Sequence, residues 1–145
     1  MRKVNLAPAR LNEEAEWLFV DHHLPQSSFS ALAREGRALW ILADREKVGL
    51  MRWGLFWDEI PFLNLIWLYS DCRRKGIGQA AMERWEDSLR EKGYRAAMTS
   101  TQSDEQAQHF YRKLGYQDTG GLILTLPGME QPMEIILIKD LRQNQ

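Results

Sequence analysis

The chain has 145 residues, 44% of them hydrophobic, and a formal net charge of -1 at pH 7. This size and apolar content suit one domain with its own core, so we expect a single domain over residues 1–145. The balanced charge argues against nucleic acid or an anionic membrane as a partner, and no apolar stretch reaches the roughly 20 residues that span a bilayer. A single cysteine, Cys72, excludes an internal disulfide, and the first residues lack the apolar core of a signal peptide. We therefore expect a cytoplasmic protein.

The first half of the chain consists of short apolar segments separated by polar turns. Its predicted elements are, in order, a strand at Val4 to Leu6, a helix capped at Asn12 that runs through Val20, a helix from about Ser28 to Glu35, and strands at Ala38 to Ala43, Val48 to Trp57 and Pro61 to Tyr69. The three consecutive strands predict an antiparallel meander, because only short turns connect them.

The second half begins with a helix at residues 76–92, in which Ile77, Ala81, Trp85 and Leu89 recur every fourth residue. The later predicted elements are a strand at Tyr94 to Ser100, a helix after a capping box at Ser103 to Gln106, and two hairpin strands at Leu122 to Leu126 and Met133 to Ile138. The strands on either side of the first helix should be parallel, because a helix connects them.

Three cations precede a Gly-x-Gly turn at the start of that helix, in Cys72 to Gln79. Glycines allow close approach to a ligand, and a helix N-terminus offers unpaired N–H groups, so this loop predicts an anion site for a diphosphate. A P-loop is excluded, since Gly78 is followed by Gln-Ala-Ala. Gly76 to Ala81 formally fits the dinucleotide pattern Gly-x-Gly-x-x-Ala, but the acidic residue expected about 20 positions later is missing from Arg95 to Ser100.

Two spaced motifs resemble those of the GNAT acyl-CoA N-acyltransferases. Arg73 to Gly78 matches the family's Arg/Gln-x-x-Gly-x-Gly/Ala signature, and Ala107 to Tyr116 resembles its Ala-x-x-x-Tyr-x-x-x-Gly-Phe/Tyr segment. With the strand between them, the resemblance covers roughly residues 60–120. It implies an α+β fold with a mixed, mostly antiparallel sheet of about seven strands and four helices.

The resemblance also implies where acetyl-CoA, the acyl donor, would bind. The diphosphate would lie on Arg73, Arg74, Lys75, Gly76, Ile77 and Gly78. The pantetheine arm would pair with the backbone of Ile66, Trp67 and Leu68 on the preceding strand. Asp104 occupies a position where family members often place an asparagine that contacts the cofactor arm.

For catalysis, the resemblance assigns Tyr111 as the general acid that protonates the leaving thiolate. Some members carry a carboxylate base on the strand after the loop helix, where this chain has Thr99. Asp58, Glu59 and Asn64 are alternatives, and the base can also be water. No metal is expected, because adjacent histidines such as His22 and His23 point in different directions on most backbones.

We therefore predict an N-acetyltransferase that moves the acetyl group of acetyl-CoA to a primary amine of a small molecule or peptide by direct attack. One alternative is a non-catalytic acyl-CoA-binding sensor or regulatory protein of the same fold, and another is a dinucleotide-dependent enzyme that uses Gly76 to Ala81. The expected partners are acetyl-CoA and an amine acceptor, with no nucleic acid and no membrane. Exposed strand edges in the C-terminal hairpin suggest a homodimer.

Overall fold

A computed structural model describes residues 2–142 of the chain. Its strands are β1 (Val4–Pro8), β2 (Ala38–Ala43), β3 (Glu46–Phe56), β4 (Ile60–Leu68), β5 (Ala96–Gln102), β6 (Gln117–Leu122) and β7 (Glu134–Asp140). Its helices are α1 (Glu14–Val20), α2 (Gln26–Arg34), α3 (Ile77–Glu91) and α4 (Ala107–Lys113), with single 3-10 turns at Leu11–Glu13 and Ser70–Cys72. No helix within these residues combines the length and the apolar character that crossing a membrane requires.

Within the described residues the strands form one seven-stranded sheet in the order β1-β2-β3-β4-β5-β7-β6. The pairs β1–β2, β2–β3, β5–β7 and β6–β7 are antiparallel, whereas β4 and β5 are parallel. Helix α3 connects the two parallel strands, as the sequence predicted. The predicted mixed, mostly antiparallel sheet with four helices is therefore confirmed.

Contacts along the chain define two compact units. The first comprises the described residues of Met1–Gly54 together with Leu65–Trp85, and the second comprises Leu55–Asn64 with the described residues of Glu86–Gln145. The chain passes from one unit to the other three times, inside β3, inside β4 and inside α3. The predicted single domain over residues 1–145 stays a prediction, and residues 1 and 143–145 lie outside the described residues.

The first unit is built around the buried indole of Trp17 on α1. Its ring lies 5.8 Å from the ring of Phe29 on α2 and 4.9 Å from the ring of Trp40 on β2. Ala9, Ala38 and Leu50 complete this buried cluster. Large aromatic side chains thus supply much of the apolar area that holds α1 and α2 on the strands of this unit.

The four-residue spacing predicted for α3 is confirmed by burial. Ile77 is 3% exposed, and Ala81, Trp85 and Leu89 are fully buried. Trp57 is different, because the sequence predicted it at the end of a strand. It lies instead in the turn between β3 and β4, with φ of 56° and 75% of its surface exposed.

The predicted hairpin was wrong in the position of its first strand. β6 runs from Gln117 to Leu122, with Gln117 opposite Ile138 and Leu122 opposite Glu134, whereas the apolar run at Leu122 to Leu126 follows the strand. Gly120 and Gly121 gave no local strand signal, because glycine has low β-propensity. Pairing with β7, rather than hydrophobicity, decides which residues form this strand.

Both predicted caps were also wrong. The first turn begins at Leu11, where the Glu13 carboxylate accepts a hydrogen bond from the Arg10 N–H. Helix α4 begins at Ala107, four residues after the predicted cap Ser103. The Ser103 N–H donates instead to the Met133 carbonyl, in a contact between distant parts of the sequence. The carboxylate of Glu105 accepts from the Gln102 N–H, so these residues form a turn before the helix.

Candidate active site

The loop between β4 and α3 lies in the first unit and turns at a glycine with a left-handed backbone. Gly76 has φ of +80°, a left-handed conformation that favours glycine, and a Cβ there would meet nothing within 4 Å. The Ala80 N–H donates to the Gly76 carbonyl, so helical hydrogen bonding begins there. The N–H groups of the first turn have no partner within the helix and can donate hydrogen bonds to an anion.

The three cations of the loop have different environments. Arg73 Nε donates to the Leu68 carbonyl at 2.9 Å, and its guanidinium lies 5.8 Å from the centre of the Trp67 ring. Arg73 therefore binds the loop to the end of β4. Arg74 and Lys75 are exposed, and neither side chain has a hydrogen-bond or ion-pair partner within residues 2–142. These two cations are available for an anionic ligand.

The end of β4 contains the three residues whose backbone groups the family resemblance assigned to the pantetheine arm. Ile66, Trp67 and Leu68 are all half-buried. On the neighbouring strand, a Cβ added at Gly49 would collide with the Trp67 carbonyl and the Leu68 side chain. Glycine at position 49 thus allows β3 to approach the end of β4 closely.

Tyr111 lies on α4 in the second unit and is only 6% exposed. On β5, the Thr99 hydroxyl donates to the Leu63 carbonyl of β4 at 3.2 Å. Burial raises the pKa of Tyr111, the nearby Thr99 side chain opposes that rise, and the charge of Glu105 adds to it. The phenol therefore carries its proton at neutral pH.

Of the other predicted cofactor-binding residues, Ile77 is buried and Gly78 is half-buried, whereas the remaining polar candidates are at the surface. Asp104 is exposed in the loop before α4. Asp58, Glu59 and Asn64, the alternatives for a base, are also exposed, and none forms a side-chain hydrogen bond in the described part of the chain. His22 and His23 are exposed, and no group of metal-binding side chains was found among residues 2–142.

The family model of the acetyltransferase (GNAT) family matches residues 7–116, more than half of the chain. The chain belongs to the GNAT acetyltransferase family. This GNAT protein has a mostly antiparallel sheet, which excludes the doubly wound parallel sheet that the dinucleotide alternative requires. No match to its sequence was found among curated proteins.

Solved structures share the fold of this GNAT protein over nearly its whole length. The ribosomal-protein-S18-alanine N-acetyltransferase from Escherichia coli is 16% identical with a TM-score of 0.77, and the match covers 99% of this chain and 97% of that chain. Arabidopsis thaliana Naa50, in complex with the bisubstrate analogue CoA-Ac-MVNAL, is 14% identical with a TM-score of 0.76 and coverage of 94% and 98%. A GNAT acetyltransferase from Elizabethkingia anophelis with acetyl-CoA bound is 15% identical with a TM-score of 0.72 and coverage of 94% and 97%.

The sequence predicted Tyr111 as the acid but did not predict the buried Thr99 hydroxyl that donates to the Leu63 carbonyl. Ala97, Thr99 and Thr101 alternate along β5 and are all buried. A hydroxyl at a buried position of a strand needs a hydrogen-bond partner, and that requirement was the available signal. The partners themselves belong to other elements, so the sequence pattern could not name them.

Proposed function

We propose that this GNAT protein transfers the acetyl group of acetyl-CoA to a primary amine of a small molecule or peptide. The observation that carries the proposal is the loop before α3, where Arg74 and Lys75 precede the left-handed Gly76 and have no side-chain partner within residues 2–142. A diphosphate suits this loop, because it can accept hydrogen bonds from the first-turn N–H groups and neutralise both cations. Arg73 would support the loop through its bond to Leu68.

The proposed reaction is direct attack on the thioester. The nitrogen lone pair of a neutral amine forms the C–N bond at the carbonyl carbon, and the C–S bond breaks with its electron pair left on sulfur. Tyr111 gives its hydroxyl proton to that sulfur, and the surplus proton on nitrogen leaves to water. The Tyr111 phenol carries its proton at neutral pH, so it can donate that proton to the sulfur as the C–S bond breaks.

Peptide N-termini are the first acceptors to test. The Escherichia coli neighbour is a ribosomal-protein-S18-alanine N-acetyltransferase, and the Arabidopsis thaliana neighbour is in complex with an analogue that contains the peptide sequence MVNAL. Small primary amines form the second set, since the sequence does not distinguish the two classes. The cytoplasmic location and the homodimer stay predictions.

The deciding experiment measures thermal stability with acetyl-CoA, CoA and NADH. A ligand at 100 times its dissociation constant adds about 2.7 kcal/mol of stability, which gives a clear rise in Tm. We expect acetyl-CoA and CoA to stabilise the protein and NADH to have no effect. Arg74→Glu should abolish the shift, whereas Arg34→Glu, the same charge change at an exposed residue of α2, should preserve it. Absence of a shift with both CoA species would refute the proposal.

One observation favours the alternative of acyl-CoA binding without catalysis. Position 99, where some family members carry a carboxylate base, holds a buried threonine whose hydroxyl donates to the Leu63 carbonyl. The two functions separate in an assay of thiol release with a library of peptides and small amines. Stabilisation by acetyl-CoA without thiol release from any acceptor would support the binding protein.

A further inference from the structure

The second unit contains a cavity where β5 and β6 begin and β7 ends. Its volume is about 590 Å³, which falls within the usual range of small-molecule sites. Ala96 at the start of β5 is paired with Asp140, and Gln117 at the start of β6 is paired with Ile138. These four residues line the cavity, so its floor is built on the paired strands.

Three cations also line the cavity, and the described residues neutralise only two of them. Arg142 donates to the Asp140 carboxylate from Nε at 3.0 Å and from Nη2 at 2.9 Å. Lys139 Nζ donates to the Glu86 carboxylate at 2.8 Å. Arg95 is exposed, and its side chain has no hydrogen-bond or ion-pair partner within residues 2–142. The cavity therefore retains the positive charge of Arg95.

Two further hydrogen-bond donors line the same cavity. An ammonium group has three N–H bonds, and Lys139 gives one of them to Glu86, so the others can donate to a ligand. The side-chain amide of Gln117 is exposed and forms no hydrogen bond in the described part of the chain. Gly115 keeps the space beside Lys139 open, because a Cβ at position 115 would lie 3.4 Å from Lys139 Cε.

We propose that this cavity binds a small organic anion, whose phosphate or carboxylate group is held by Arg95, Lys139 and Gln117. Guanidinium and ammonium groups bind both kinds of oxyanion through charge-assisted hydrogen bonds. The cavity is much larger than such a group alone, since one water molecule occupies only about 30 Å³ in the liquid. Ala96 and Ile138 supply apolar surface for the rest of the ligand.

This anion site is separate from the groups that carry the proposed acetyl transfer. The residues that line the cavity all belong to 95–142 and do not include Tyr111. Ala96 precedes Thr99 by three residues, which is roughly 10 Å along a strand. Binding here can therefore be tested whether or not the protein acetylates an amine.

The test is an NMR titration of the ¹⁵N-labelled full-length chain at pH 7 with sodium phosphate, phenyl phosphate and sodium benzoate. Sodium chloride at equal ionic strength corrects for screening. We expect saturable shifts of the Gly115 and Gln117 backbone amide signals, with a lower Kd for phenyl phosphate than for phosphate, because the ring covers Ile138. The Gly76 amide reports separately on the loop before α3. A lower Kd for phenyl phosphate than for benzoate identifies a phosphate ligand, and the reverse order identifies a carboxylate.

Two variants with the same change in net charge decide whether the cavity is the site. Arg95→Gln should raise the Kd about tenfold or more, because it removes a charge-assisted hydrogen bond. Lys113→Gln should leave the Kd unchanged, since Lys113 is exposed on α4, lies outside the cavity lining and has no side-chain partner within residues 2–142. If Arg95→Gln does not fold, Gln117→Ala removes a second donor from the same cavity and should also raise the Kd.

Three results would overturn the proposal. The first is a shift of the Gly115 and Gln117 signals that does not saturate and equals the shift with sodium chloride. The second is an unchanged Kd in Arg95→Gln. The third is equal weakening in Arg95→Gln and Lys113→Gln, because the effect would then reflect net charge and not the cavity.

Discussion

Tyr116 donates a hydrogen bond of 2.8 Å to Glu86, a carboxylate whose side chain is only 3% exposed. Lys139 on β7 donates to the other carboxylate oxygen of Glu86, also at 2.8 Å. Burial raises the pKa of Tyr116 far above its usual range, and the charge of Glu86 raises it further. Each carboxylate oxygen of Glu86 therefore accepts a hydrogen bond from a different side chain.

Removal of Lys139 should cost more stability than removal of the Tyr116 hydroxyl. Lys139→Met leaves a buried carboxylate without its cation, which costs about 3–5 kcal/mol, whereas Tyr116→Phe costs about 1–3 kcal/mol. Urea unfolding measures both. Glu86→Gln added to Lys139→Met should recover part of the loss, and strictly additive effects of the two substitutions would contradict the coupling.

The ion pair of Asp21 and Arg52 in the first unit should be a second large contributor to stability. The Asp21 side chain is fully buried, accepts from Arg52 Nε at 2.7 Å and accepts from the Trp17 indole at 3.1 Å. Arg52→Leu leaves this buried carboxylate without its cation, so we expect the free energy of unfolding in urea to fall by about 3–5 kcal/mol. Arg34→Leu, at an exposed arginine, is the control and should change stability by less than about 0.5 kcal/mol. Equal effects of the two variants would contradict a large contribution of the Asp21–Arg52 ion pair to stability.

Protonation of Glu13 should make the protein less stable in acid. Burial alone would raise its pKa, but hydrogen bonds from Lys47, the Arg10 N–H and the Trp40 indole lower it to about 2, from a usual value of 4.5. Because the folded state holds the carboxylate ionised, this stabilisation is present above pH 4.5 and is lost as pH falls toward 2. It amounts to about 1–3 kcal/mol.

The measurement compares the free energy of unfolding of the parent and Glu13→Gln between pH 7 and pH 2.5. The difference should be largest above pH 4.5 and should close in acid, where the parent carboxyl is protonated too. Glu14→Gln is the control, because the Glu14 side chain has no hydrogen bond within residues 2–142. A difference that stays constant with pH would argue against the lowered pKa.

Tyr111→Phe should separate catalysis from binding. The variant keeps the buried ring but removes the acid, so kcat at saturating acetyl-CoA and acceptor should fall about 10²- to 10⁴-fold. The Tm shift with CoA should be preserved, since the loop cations and the N–H groups of α3 are untouched. Tyr94→Phe is the control for loss of a tyrosine hydroxyl. Full turnover in Tyr111→Phe would remove Tyr111 from the acid role.

Much of the fold could be predicted, because local patterns record burial directly. The structure confirms strand β2, which the sequence predicted from its apolar run, and the parallel pairing of β4 with β5. It also confirms the buried face of α3, predicted from the four-residue spacing of Ile77, Ala81, Trp85 and Leu89. β6 could not be found in this way. Its glycines have no strand preference, and its place depends on pairing with β7, which comes later in the chain.

The loop before α3 could be predicted as a candidate anion site, since glycines, cations and a helix start are local features of the sequence. The tyrosine motif on α4 could be predicted as a candidate acid in the same way. Tertiary structure was needed to distinguish Arg73, which binds the Leu68 carbonyl, from Arg74 and Lys75, whose side chains have no hydrogen-bond or ion-pair partner within residues 2–142. It was needed as well to bring the Thr99 hydroxyl of β5 to the Leu63 carbonyl of β4. A side chain's partner depends on which elements pack together, and sequence periodicity shows that a position is buried without showing against what.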